Sequence, residues 1–192
     1  MKLPEPDQMI AFATPQELRN WLAAHGSTAT ELWVRIYKLA ARVPSVTWED
    51  CVVASLSYGW IDGISKSLGP ESYLQRLTPR KPKSGWSKRN RDHVERLLAA
   101  GLMTAAGQAQ VDAAKADGRL DAAYAGQSEA EVPADFLAAL EAFPVARATY
   151  ATLNKQNQFA IYCRLQSARS AVTRARRMAV LIATLDRGEK FH

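Results

Sequence analysis

Cysteine is scarce in this chain: Cys51 and Cys163 are the only two among 192 residues. Both sit in apolar runs (Cys51-Val-Val-Ala and Ile-Tyr-Cys163), so they read as small buried hydrophobes rather than a disulfide framework. A chain of this length buries a core without such staples. Histidine is equally sparse. His25, His93 and His192 have no cysteine or second histidine at metal-ligand spacing, which argues against a zinc site. No apolar run approaches the ~20 residues that span a bilayer. The start, MKLPEPDQMIAF, has no apolar stretch of signal-peptide length. The expectation is a cytoplasmic protein with no membrane span.

Signatures of chemistry are missing too. Gly59 and Gly63 lack the lysine and the strand–loop–helix setting of a phosphate loop. There is no GxSxG, no HExxH and no paired-cysteine motif. Acyl transfer, zinc hydrolysis and nucleotide hydrolysis all lose support, and the expectation is no metal and no cofactor.

What is present is ordinary globular composition, 47% apolar and 23% charged, with a net charge of +6. The charge is unevenly spread. Residues 1–75 carry net −2, residues 76–100 net +6, residues 101–146 net −5 and residues 147–192 net +7. An anionic partner would therefore meet patches.

Local patterns predict an α+β fold, a small antiparallel sheet with helices in the N-terminal part, followed by an all-helical C-terminal region. Met9–Ala13 is a short strand candidate. Thr14-Pro15 with Glu17 opens a helix, and Thr47 with Asp50 opens another. Leu32, Val34 and Ile36 alternate with Trp33, Arg35 and Tyr37, which predicts a half-buried strand. Trp60–Lys66 and Ser72–Thr78 predict a hairpin around Leu68-Gly69-Pro70. Helices are expected over 88–100 and 104–117. The polar stretch 127–132 reads as a linker between an α+β domain (1–126) and a helical region (133–192) packing on it. The last helix is expected to place Ala175, Met178, Ile182 and Leu185 on one face.

The densest functional signal is Thr78–Asn90, TPRKPKSGWSKRN: five basic residues, two prolines, one tryptophan and no acid. Ser87 is a good helix cap, so this loop brings charge to a helix N-terminus, where backbone N–H groups also favour anions. The expected ligand-binding residues are Trp60, Arg76, Arg80, Lys83, Trp86, Ser87 and Asn90. Arg76, Arg80 and Lys83 would hold a small anionic ligand or acidic partner, and Trp60 and Trp86 would wall it. Asp62 would orient Arg76 or Lys66. In one alternative, Asp62 and Lys66 share a strand face as acid and base of a small enzyme. In another, the basic residues meet nucleic acid, with Trp86 stacking on a base. The bland alternative is a solvated loop. A second block, Arg164, Arg169, Arg174, Arg176 and Arg177, reads most simply as the wet face of the last helix. A last alternative is an interaction protein whose helical tail packs against a second copy or a partner; the sequence does not determine whether the chain forms a homo-oligomer.

The run from WIDG through LQRLTPRKPKSGWSKRN, then RDHVERLLAAGLMTAAG and AAKADGRLDAAY, resembles the bacterial YdeI/OmpD-associated family, often labelled bacteriocin-protection proteins. The tail TRARRMAVLIATLDRGEK is similar to its C-terminal region. The matching positions include Trp60, Asp62, Gly63, Lys66, Arg76, Pro79, Arg80, Pro82, Lys83, Trp86, Ser87 and Asn90. The resemblance implies a small α+β domain with a helical C-terminal part. It also implies a link to envelope stress or to resistance against antibacterial peptides, with no assigned reaction.

Overall fold

Met9–Ala11 (β1) lies parallel to Leu32–Tyr37 (β2), with Ile10 opposite Val34. The computed structural model describes residues 4–5, 8–127, 129–168 and 170–191. Ser128 of the expected linker, Arg169 of the second basic block and His192 lie outside them. Pro15–His25 (α1) connects β1 to β2 and returns the chain in the same direction, which is why this pair is parallel. The expected antiparallel sheet is therefore mixed. Trp60–Ser67 (β3) and Ser72–Pro79 (β4) complete it in the order β1-β2-β4-β3, with β4 antiparallel to both neighbours.

Local chemistry starts each helix of this part. The Thr14 hydroxyl accepts from Glu17 N at 3.3 Å, and the Glu17 carboxylate accepts in return from Ala13 N at 2.9 Å. Trp48–Ser57 (α2) begins with a capping box between Thr47 and Asp50. Leu18 and Leu22 of α1 and Cys51 and Ala54 of α2 bury against Leu32, Val34, Ile36, Trp60 and Leu77 of the sheet. Lys88–Ala99 (α3) and Ala105–Ala116 (α4) follow. The Thr104 hydroxyl caps α4 and also donates to Ser57 O, at the end of α2, at 2.6 Å. Gly107 lies where that carbonyl comes closest, and a Cβ there would run into Ser57 O.

One irregularity in β3 governs the site. Asp62 lies opposite Leu77, but the next partners are Ser65 with Gln75 and Lys66 with Leu74. Three steps along β3 match two along β4, so one residue is surplus and the strand bulges. The buried Gln75 amide donates to Gly63 O at 2.9 Å and to Arg76 O at 3.2 Å, satisfying carbonyls at the bulge.

The chain divides into two compact units, Met1–Ala122 and Ala123–His192. The second holds Ala134–Leu140 (α5), Pro144–Ala151 (α6), Lys155–Gln166 (α7) and Ala171–Asp186 (α8). Phe136, Leu140, Ile161, Leu165, Leu181 and Leu185 form its own core. The α+β part followed by helices is the architecture that the sequence patterns predict.

Candidate functional site

The connector from β4 to α3 is fixed from within by two buried arginines. Arg80 is only 4% exposed. Its guanidinium lies 3.8 Å over the Trp86 ring, and its Nη1 donates to Gly85 O at 2.8 Å. Arg119 is 7% exposed, and its Nη1 donates to the preceding carbonyl, Ser84 O, at 3.0 Å. Asp117 balances the Arg119 charge at 2.6 Å. Ser84 N closes a turn on Lys81 O at 2.9 Å. The loop is thus ordered by its own arginine and by a residue more than thirty positions on. Its remaining cations, Lys81, Lys83, Lys88 and Arg89, are exposed.

At the far end, Ser87 caps α3 as expected, its hydroxyl accepting from Asn90 N at 3.1 Å. The Asn90 side chain is itself largely buried. The first-turn N–H of Arg89 has no acceptor within the helix. Arg89 reaches across to α2, where its guanidinium lies 5.0 Å from the Trp48 ring centre. The Trp48 indole N–H donates to Asp62 at 3.2 Å. Burial raises the Asp62 carboxyl above its ordinary range, while the Trp48 hydrogen bond and the charges of Arg80 and Arg89 pull it back. Arg89 itself has no carboxylate at ion-pair distance among the described residues. On the next turn of α3, buried His93 accepts from Arg96 through Nδ1 at 2.7 Å, which leaves its proton on Nε2, facing Glu49 at 3.8 Å. Burial and the Arg96 charge lower its pKa.

Several expected pairings are not made. The bulge changes the phase of β3, so Asp62 shares the helix-facing side of the sheet with Trp60, and Lys66 lies on the other side. They do not form an acid–base pair. Arg76 does not meet Asp62 either. It projects from the side of Lys66 and forms an ion pair with Glu31 at 2.6 Å. Arg76 and Lys66 both lie over Trp33, at 5.9 and 5.4 Å from its ring centre. Trp60 and Trp86 are 1% and 2% exposed, so they are core rather than ligand walls. Trp60 donates its indole N–H to Gly26 O at 3.0 Å, which anchors the end of α1. Of the expected set, Lys83 is exposed and Ser87 half-buried, and exposed Arg89 seats on half-buried Trp48. Trp48 carries no sequence signal beyond its place in a capped helix start, and Arg119 carries none.

Neither cysteine is poised for reaction. Burial, with Asp50 and Asp62 nearby, pushes the Cys51 thiol up to about 12, and burial raises Cys163 as well. In the second unit, Arg174 makes a bidentate pair with Asp135 at 2.7 and 2.8 Å and donates to Leu165 O at 3.1 Å. Arg177 donates to Arg164 O at 2.6 Å. These two clasp helices together and are not a wet face. No helix among the described residues is long and apolar enough to cross a membrane.

A family model described as a domain of unknown function (DUF8412) matches residues 10–110, more than half of the chain. The chain belongs to that family. A second model, described as bacteriocin-protection, YdeI or OmpD-associated, matches residues 129–188. The helical unit thus carries a YdeI/OmpD-associated domain, in agreement with the resemblance of the tail. The WIDG-to-Asn90 motif falls within the range of the DUF8412 domain. No curated protein and no solved structure matches the chain.

Proposed function

We propose that the DUF8412 part is a binding module for a small anion, with its site on the outer surface of the 79–89 connector where α2 and α3 begin. The observation that carries this reading is Arg89: a positioned guanidinium, seated on Trp48 beside a carboxyl whose charge is disfavoured by burial. Lys83 and the first-turn N–H groups of α3 lie in the same stretch of chain. Electrostatic attraction and hydrogen bonding therefore act together on a carboxylate or phosphate group. Arg80 and Arg119 tie the loop down through its own carbonyls, which lowers the ordering cost of binding there.

The acid–base alternative has lost its second group to the bulge. The bacteriocin-protection description of the C-terminal family supplies a setting for the module, in envelope stress or peptide resistance. A surface this basic suits an anionic ligand better than it suits direct capture of a cationic peptide.

Calorimetric titration of the full chain with citrate and with inorganic phosphate tests the proposal. Saturable binding of either is expected, weakened by about tenfold or more in a Lys83→Glu/Arg89→Glu variant, as two reversed charges require. Unchanged affinity in that variant would remove the site from the connector. Tight binding of a short oligonucleotide, lost steeply with added salt, would favour the nucleic-acid reading instead.

A further inference from the structure

A second concave site lies wholly within the helical unit, and nothing above uses it. It is a pocket of about 270 Å³ between α7, α8 and the C-terminal tail. Three arginines line it, Arg164, Arg176 and Arg177. Val180, Leu181, Thr184 and Phe191 complete the lining. No acidic residue lines it among the described residues.

The walls are held by the protein's own bonds. Arg177 fastens α8 to the end of α7 through Nη1, which donates to Arg164 O at 2.6 Å and to Ser167 Oγ at 2.8 Å. The tail is pinned by buried Asn157, whose side-chain oxygen accepts from Phe191 N at 2.8 Å. That bond sets the Phe191 ring beneath Arg164, 4.9 Å from its guanidinium. Arg176 has no carboxylate at ion-pair distance among the described residues.

We propose that this pocket binds a small carboxylate with a hydrocarbon body. Three like charges around a concavity with apolar walls concentrate positive potential where water is partly excluded, which selects an anionic head group. Val180 and Phe191 would then cover a short aliphatic or aromatic body. A bare inorganic ion leaves that apolar lining wet and gains nothing from it. The volume lies just below the roughly 300–1,000 Å³ of drug-sized ligand sites, which limits the body to a few carbons. The site is independent of the connector and stands or falls separately from it.

The test uses the full chain and three probes: hexanoate, hexan-1-ol and acetate. Titration followed by amide NMR should show hexanoate saturating and shifting the amides of Arg176–Thr184 and Phe191. Acetate and hexan-1-ol should each bind about tenfold more weakly, since each offers half of the recognition. Arg176→Gln, an exposed change that leaves the melting temperature alone, should weaken hexanoate by about fivefold, the worth of one lost charged contact. Lys83→Glu/Arg89→Glu should leave hexanoate binding unchanged. The proposal is overturned if hexan-1-ol binds as well as hexanoate, if an Arg164→Gln/Arg176→Gln variant keeps full affinity, or if those amides do not move.

Discussion

At the scale of single residues, charge and burial part company in this protein. Arg80 and Arg119 are formally surface residues by type, yet each is buried and donates from Nη1 to a carbonyl of one loop. An isolated cation inside a protein is costly, and a flat aromatic face or a carboxylate is what makes it tolerable. His93 shows the same economy in a titratable group. Its folded pKa lies below the ordinary 6.5 because burial and Arg96 disfavour the imidazolium. As pH falls through 6.5 the unfolded chain takes up a proton that the folded His93 refuses, so stability falls below that pH. Urea midpoints at pH 7.5 and 5.5 should differ more for the native chain than for His93→Gln. Equal differences would show that His93 titrates normally in the fold. The burial of Arg80 is not written in the composition of the 76–100 block, which reads as solvent-facing from its charge alone. The stacking partner Trp86 and the distant Arg119 decide the matter, and their placement depends on tertiary structure.

At the scale of elements, what the sequence makes legible is what neighbouring residues settle among themselves. Thr14, Thr47 and Ser87 each cap the helix they precede, because a cap needs only a side chain and an N–H three residues on. The hairpin and the alternation of β2 are visible for the same reason. The parallel placement of β1 is not, since it depends on where α1 packs. The bulge is hidden as well: WIDGISKS alternates plausibly in either phase, and the choice is made by pairing with β4. That is why Asp62 and Lys66 look like partners on paper and are separated by the sheet. Gln75 is the residue that ties the irregular turn of backbone down. Gln75→Leu removes the side-chain donor to the Gly63 and Arg76 carbonyls, and should cost about 1 kcal/mol in urea unfolding, the net worth of a typical hydrogen bond. An unchanged midpoint would mean that the bulge needs no side-chain support.

For the whole molecule, the two family matches and the two units agree. Residues 10–110 fall inside the first unit and 129–188 inside the second, with the Ala122/Ala123 boundary between them. The second unit has a separate core of leucines, isoleucine and phenylalanine, and its helices are clasped by Arg174 and Arg177. A fragment spanning 123–192 should therefore give a helical circular-dichroism spectrum and a cooperative thermal transition by itself. A broad, non-cooperative melt would show that this core is incomplete without the rest of the chain. The two proposed anion sites belong one to each unit, so ligand specificity in one is open to change without disturbing the fold of the other.

The surplus residue in β3 makes the hairpin a place where chain length is negotiable. Removing one residue between Asp62 and Ser65 would restore regular pairing and leave Lys66 opposite Leu74, with every other side chain still on its present side. The same deletion in β4, which has no slack, would turn over every residue beyond it and carry Arg76 or Leu77 to the wrong surface. A one-residue deletion in this hairpin is thus absorbed at that one joint, while the connector that follows keeps its place.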